Sequence, residues 1–125
     1  MTSRYLAIDL GAETGRVMLG TLESGRISLE ELSRFSNEPI RDGDGIYWNI
    51  SALVEGIRDG LVKAGALGHP ITSVSADAWG VDYVLIDNKG EIMEPVFHYR
   101  HPRTIDGEKK ALDKVDWPTL FDESG

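Results

Sequence analysis

Asp9-Leu10-Gly11-Ala12-Glu13-Thr14-Gly15-Arg16 joins two short apolar runs. Two glycines with small or hydroxyl residues between them make a turn whose backbone N–H groups can converge on phosphate oxygens. A carboxylate where the first run stops can hold a hydrated Mg²⁺ beside them. An arginine can grip a phosphate or carboxylate through two parallel hydrogen bonds. The same residues also fit a plain glycine-containing hairpin with a surface aspartate. A second constellation, Asp77-Ala78-Trp79-Gly80-Val81-Asp82-Tyr83, sets carboxylate, indole and bare backbone side by side. An aromatic face takes the C–H surface of a polyhydroxylated ligand, an acid takes its hydroxyls, and glycine lets the backbone come close. The alternative is a buried Trp anchoring a strand end, with Asp82 on the solvent side of a hairpin. A third, Phe97-His98-Tyr99-Arg100-His101-Pro102-Arg103-Thr104, can contact an anion or sugar hydroxyls, or be a strand exit with solvated charges. It is a weak metal site, since no convincing helix aligns His98 with His101.

The elements that must carry these segments follow from apolar spacing. Residues 5–9 are a short run that stops at Asp9, which suits a buried strand. Arg16–Thr21 and Ile27–Phe35 are strand-like, with the turn Glu23-Ser24-Gly25-Arg26 between them. Short connections make the three strands antiparallel, with Ile27, Leu29 and Phe35 expected to pack on one side. Residues 36–48 carry Pro39, Gly43 and Gly45 and are expected to be a loop. Leu53, Val54, Ile57, Leu61 and Val62 recur at helical spacing, with Ser51 as expected N-cap and Gly65 and Gly68 near the stop. Ser73–Asp77 is another strand ending in a carboxylate. Residues 81–86 and 91–96 are expected to pair across the turn Asp87-Asn88-Lys89-Gly90. A polar helix is expected over 104–115, and Asp116-Trp117-Pro118 is a cap opening another. The order β-β-β-α-β-β-α, with the strand after the helix returning parallel to the first, is the α/β layout of ribonuclease-H-like and actin-like folds.

Composition limits the chemistry. The chain has 125 residues, 13 Lys+Arg against 21 Asp+Glu, a formal net charge of −8, 41% hydrophobic residues and no cysteine. That hydrophobic fraction is too high for a disordered chain. Zero cysteines exclude a disulfide framework, a thiolate metal site and a Cys nucleophile. Without a basic block, dense phosphate neutralisation along nucleic acid is disfavoured. No apolar run reaches the ~18 residues of a membrane span, and the N-terminus lacks the long apolar stretch of a signal peptide. A cytoplasmic domain, with no nucleic-acid or membrane partner, is expected.

With these segments in order, the chain resembles the amino-terminal part of the FGGY carbohydrate kinases. The matching residues are Asp9-Leu10-Gly11-Ala12 with Gly15-Arg16-Val17-Met18-Leu19, then Asp77 with Trp79-Gly80-Val81-Asp82-Tyr83-Val84-Leu85, and Tyr99-Arg100 with Arg103-Thr104. The Trp-Gly-Val-Asp-Tyr run points within the family to the branch that phosphorylates L-rhamnulose.

The resemblance implies an actin-like fold of two ribonuclease-H-type domains closing over sugar and ATP, with Mg²⁺ and ATP as cofactor and co-substrate and L-rhamnulose or a related ketose as acceptor. Carried over by motif, Ala12, Glu13, Thr14, Gly15 and Arg16 face the ATP phosphates and Asp9 holds the metal through water. Gly80 contacts the ketose, with Asp77 and Trp79 nearby. Three places depart from the family pattern: the pair Glu13-Thr14 stands where two small hydroxyl residues are frequent, Ala78 replaces a hydroxyl residue, and His101 replaces an Asp. The family's general-base Asp is expected beyond residue 125. Residues 1–125 are thus expected to be an incomplete first domain, inactive alone, whose exposed core surfaces favour self-association. Two rivals use the same residues. A small ribonuclease-H-type nuclease would gather Asp9, Asp77 and Asp82 around metal ions ~4 Å apart, against which stand the acidic balance and the lack of any Lys before Lys63. A non-catalytic sugar- or nucleotide-binding module would bind without turnover.

Overall fold

The computed structural model describes residues 2–124. Strands β1 (Thr2–Leu10), β2 (Thr14–Glu23) and β3 (Arg26–Ser36) form the expected antiparallel meander. The β2–β3 turn is Ser24-Gly25, both at positive φ (50° and 77°), the two-residue geometry whose twist matches the flanking strands. Helix α1 (Ile50–Ala66) crosses over, and β6 (Ser73–Asp77) returns parallel to β1, giving the sheet order β3-β2-β1-β6. Two further helices follow, α2 (Arg103–Leu112) and α3 (Trp117–Ser124). Asp116 caps α3 as expected, its Oδ1 accepting from the Thr119 N–H at 2.9 Å. No helix among the described residues is long and apolar enough to cross a membrane.

The structure corrects several local expectations. Residues 36–48 are not all loop: β4 (Ile40–Asp42) and β5 (Gly45–Tyr47) form a hairpin, its reversal helped by Gly43 at φ 54°. Residues 81–86 form no strand. The Asp87–Gly90 turn is present, with Asp87 Oδ1 accepting from the Lys89 and Glu91 N–H groups, but only Ile86 and Ile92 make a β-bridge beyond it. The downstream segment pairs with β5 instead, through the Tyr47–Phe97 bridge and the Trp48 N–H donating to the Val96 carbonyl at 2.8 Å. Asn49, not Ser51, caps α1, accepting from the Ala52 N–H at 3.1 Å.

The buried stripe of α1 is also not the expected one. Leu53, Gly56, Gly60 and Ala64 face the sheet, while Val54, Leu61 and Val62 are exposed. Small residues let the helix backbone approach β2 and β3 closely, where Val17 and Phe35 fill the gap. Leu6, Leu19 and Ala64 form the centre of this core, with Leu32 and Ile71 packed against it. Phe35 joins this side, but Ile27 and Leu29 do not. The register shift in β3 opposite Val17/Met18, where Leu32 is the extra residue, inverts the alternation and puts them on the opposite sheet face, which α1 does not cover; they are 69% and 70% exposed beside Tyr5, Ala7, Gly20 and Leu22.

The helix–sheet contact yields a paired prediction. A Cβ on Gly60 would sit inside contact distance of the Val17 side chain, whereas one on Gly65 meets nothing within 4 Å. Gly60→Ala is expected to destabilise the chain by about 1–3 kcal/mol through overpacking. Gly65→Ala should stabilise it by up to ~1 kcal/mol through helix propensity. Urea midpoints of the two variants check the opposite signs.

Candidate functional site

The site lies at the carboxyl end of β1, where the sheet register sets four charged side chains in a row. Asp9 is the cross-strand partner of Arg16 on β2 and the parallel partner of Asp77 on β6, and Arg16 in turn faces Arg34 on β3. Arg34 is held by Glu31 on its own strand, its Nη2 donating to Oε2 at 2.6 Å. Arg16 donates to Asp9 in an ion pair whose side chains are about two-fifths exposed (41% and 44%). So exposed a pair contributes only ~0.2–1 kcal/mol, and an arriving anion can recruit the guanidinium at small cost. Asp9 and Asp77 side by side present the oxygen donors that suit a hydrated divalent cation.

Directly beyond Asp9 the chain turns through Leu10–Thr14. The Gly11 N–H donates to the Thr14 carbonyl at 2.9 Å, closing the turn. Asn37, buried at the end of β3, clamps it from the side. Its Nδ2 donates to the Gly11 carbonyl at 2.8 Å and its backbone N–H to the Glu13 carbonyl at 2.9 Å. Ala12, Glu13 and Thr14 are exposed at the edge of a hollow shared with Arg41, His98 and Arg100. Gly15 differs from its neighbours: it is buried in β2, with Phe35 occupying the space a side chain would need. Its absent side chain therefore serves packing in this structure.

The second constellation splits in two. Asp77 and Gly80 are exposed, with open space around the Gly80 backbone. Trp79 is half-buried, its ring 4.3 Å from that of Trp48. Trp48 is the most enclosed large side chain, 1% exposed, and stacks on His98 at 4.1 Å; His98 stacks on Tyr99 at 4.4 Å. Asp82 ties this row together. Its Oδ2 accepts from the Trp48 indole at 2.5 Å, the Tyr99 backbone N–H at 3.1 Å and the Trp79 indole at 3.4 Å. Asp82 is thus neither on the solvent side of a hairpin nor beside Asp9 and Asp77. Among the described residues no three His, Asp or Glu side chains gather as a metal-binding group.

The arginines of the third segment lie over rings: Arg103 sits 3.5 Å from the Phe97 centroid and Arg100 5.1 Å from that of Tyr99. His98 and His101 each use Nδ1 to accept the backbone N–H two residues on, Arg100 at 2.9 Å and Arg103 at 3.0 Å. Asn37 and Trp48 were not singled out in the sequence. The Asn37–Gly11 contact joins residues too distant in the chain for any local pattern to reveal, whereas Trp48 had one available signal, an aromatic directly before a helix cap.

Burial holds the His98 imidazole below its ordinary 6.5; the Asp82 carboxylate opposes that shift, and Arg100 and Arg41 add to it. The folded state therefore takes up a proton less readily than the unfolded chain. Stability is present above 6.5 and falls as pH drops from there through the lower folded value. Urea unfolding at pH 7.5 and 5.5 is expected to show this loss. His98→Asn, which keeps an acceptor near the Arg100 N–H, should flatten the pH dependence while lowering stability at both pH values.

No family model matches the chain. Curated relatives do. The chain is 35% identical to the rhamnulokinase of Bacteroides thetaiotaomicron over all 125 of its residues, covering 26% of that protein. It is 43% identical to the rhamnulokinase of Bacillus subtilis over 114 residues, 89% of this chain and 24% of the relative. The chain thus spans about a quarter of the length of these relatives. Among solved structures, a xylulose kinase from Rhodospirillum rubrum superposes with a TM-score of 0.73 at 14% identity, over 94% of this chain and 25% of that one. A gluconate kinase from Lactobacillus acidophilus gives 0.67 at 9% identity, over 89% and 23%. The fold is therefore that of the actin-like sugar kinases, and over its own length the chain is similar to rhamnulokinases at 35–43% identity.

Proposed function

We propose that residues 1–125 are the amino-terminal portion of the first domain of a kinase that transfers the γ-phosphoryl group of ATP to a ketose, L-rhamnulose being the acceptor that the relatives' name, rhamnulokinase, points to. One observation carries this reading: the register row Arg16–Asp9–Asp77 meets the Asn37-clamped turn and the bare Gly80 backbone at one end of the sheet. Phosphoryl transfer asks mainly for positioning and charge neutralisation, and these residues supply both. In this reading the backbone of Ala12–Arg16 receives the phosphates, with Arg16 leaving Asp9 to add its charge. Asp9, next to Asp77, would hold a hydrated Mg²⁺, which would supply neutralisation of phosphate charge. Trp79, fixed by Asp82, offers a ring face to the ketose, while Asp77 and the Gly80 backbone reach its hydroxyls. The hydroxyl oxygen attacks the γ-phosphorus, ADP departs, and the hydroxyl proton passes to a base not among the residues gathered here.

The test is a chimera in which these residues replace the matching 114-residue segment of the Bacillus subtilis rhamnulokinase. ADP release dependent on L-rhamnulose is expected from the chimera and not from the 125-residue chain alone. A folded chimera with no ADP release would overturn the kinase reading. Turnover by the chain alone would overturn its assignment as a partial domain.

A further inference from the structure

We infer that Asn37 is a positioning residue for phosphoryl transfer: its side-chain amide takes the carbonyl that would close the turn after β1, and so leaves the Thr14 N–H, beside that of Ala12, to donate to a phosphate oxygen. That role rests on the kinase reading and narrows its backbone contacts to two donors. In a four-residue turn the first carbonyl ordinarily accepts from the N–H three residues on, which here would join Gly11 to Thr14. This turn is closed the other way, the Gly11 N–H donating to the Thr14 carbonyl at 2.9 Å. The Gly11 carbonyl accepts instead from Asn37 Nδ2 at 2.8 Å, across 26 residues of chain.

Two peptide planes are oriented in this way, because the C=O and N–H of a trans peptide point in opposite directions. With the Gly11 carbonyl on Asn37 Nδ2, the Ala12 N–H is turned away from Asn37. With the Glu13 carbonyl on the Asn37 backbone N–H at 2.9 Å, so is the Thr14 N–H. The Thr14 carbonyl faces Gly11, which turns the Gly15 N–H back toward its ladder partner Phe35 on β3. Ala12 and Thr14, both exposed, are thus the residues whose oriented N–H groups can meet an anion. Asn37 itself is 3% exposed, and its Oδ1 is buried without a donor among the described residues. A buried acceptor left unpaired costs stability, so packing alone would favour an apolar residue of the same size. What the amide adds is a second donor beside its own backbone N–H, and every group it acts on lies within residues 11–37.

Asn37→Leu keeps the bulk and removes the amide, so the Gly11 carbonyl is expected to accept from the Thr14 N–H. In amide exchange of the 125-residue chain, followed by nuclear magnetic resonance, Thr14 should then exchange about 2–10-fold more slowly than in wild type, the net effect of one hydrogen bond. The urea midpoint should be no lower than that of wild type. In the Bacillus subtilis chimera the same substitution should raise the KM for Mg-ATP about 10–100-fold, the scale of a hydrogen bond to a charged group. The KM for L-rhamnulose should stay as it was. Asn37→Ala, which also lacks the amide, should repeat both results and serves if the leucine variant fails to fold. Equal Thr14 exchange in wild type and both variants overturns the inference. So does an unchanged KM for Mg-ATP, or a rise shared equally by both substrates, as a merely structural residue would give. A chimera inactive before any substitution overturns the kinase reading and this role with it, whereas those results in an active chimera overturn the role alone.

Discussion

Trp48→Ala is expected to lower the unfolding free energy by about 3–5 kcal/mol, the cost of emptying a fully buried Trp site. Small domains have roughly 5–15 kcal/mol in all, and this one leaves much of a sheet face and three of its strands' apolar residues uncovered. The variant should therefore be largely unfolded at modest urea. The loss exceeds area alone because Trp48 supplies the shortest of the three bonds to Asp82 Oδ2 and the stacking partner of both Trp79 and His98. Removing it leaves a half-buried carboxylate short of a donor, itself a cost of about 1–3 kcal/mol. Trp79→Ala, on a half-buried ring with a 3.4 Å contact to the same carboxylate, should cost less than half as much. Urea unfolding followed by far-ultraviolet circular dichroism checks both. A Trp48→Ala chain within 1 kcal/mol of wild type would remove Trp48 as the anchor of this region.

Asp9→Asn, placed in the active chimera, is expected to reduce kcat by about 10²–10³-fold, the scale on which one charge aimed at a transferring group acts. The substitution keeps the shape and removes the charge. Its effect on stability should be small, since the Asp9–Arg16 pair is about two-fifths exposed and such pairs contribute ~0.2–1 kcal/mol. Loss of turnover with an unchanged urea midpoint would therefore mark a role at the reacting phosphates. Full activity would show that Asp9 merely orders Arg16. The chimera also separates Asp9 from Asp77: if both hold the cation, each asparagine variant should raise the Mg²⁺ concentration needed for half-maximal rate.

Much of the architecture was legible because it is written in local periods. The meander β1–β3, the crossover helix and the parallel return of Ser73–Asp77 follow from apolar runs and short connections, and the structure has all of them. Turn chemistry at Ser24-Gly25, at Asp87–Gly90 and before α3 was equally readable, since each depends on residues within a few positions. The motif order that placed Asp9, Asp77 and Gly80 as candidates is likewise a property of the chain alone. The small β4–β5 hairpin escaped because its strands are three residues long, too short for alternation to show. Residues 81–86 carry a strand's composition, but a strand needs a partner, and the segment that could have paired with them is claimed by β5 and Trp48.

The sequence by itself determined the β1–β3 meander, the crossover helix with its parallel return strand, and the residue types available for phosphate, metal and sugar contacts. Only the tertiary structure decided how they meet. It set Asp9 between Arg16 and Asp77 through the sheet register, drew Asn37 onto Gly11, and turned Asp82 from a solvent-side candidate into the acceptor that fixes two indoles. It also chose Gly56 and Gly60 over Val54 and Val62 as the buried stripe of α1. The physical reason is common to all of these. Periodicity and turn preference act between neighbours along the chain, whereas register, close packing and the satisfaction of a buried carboxylate depend on which distant surface fills the space.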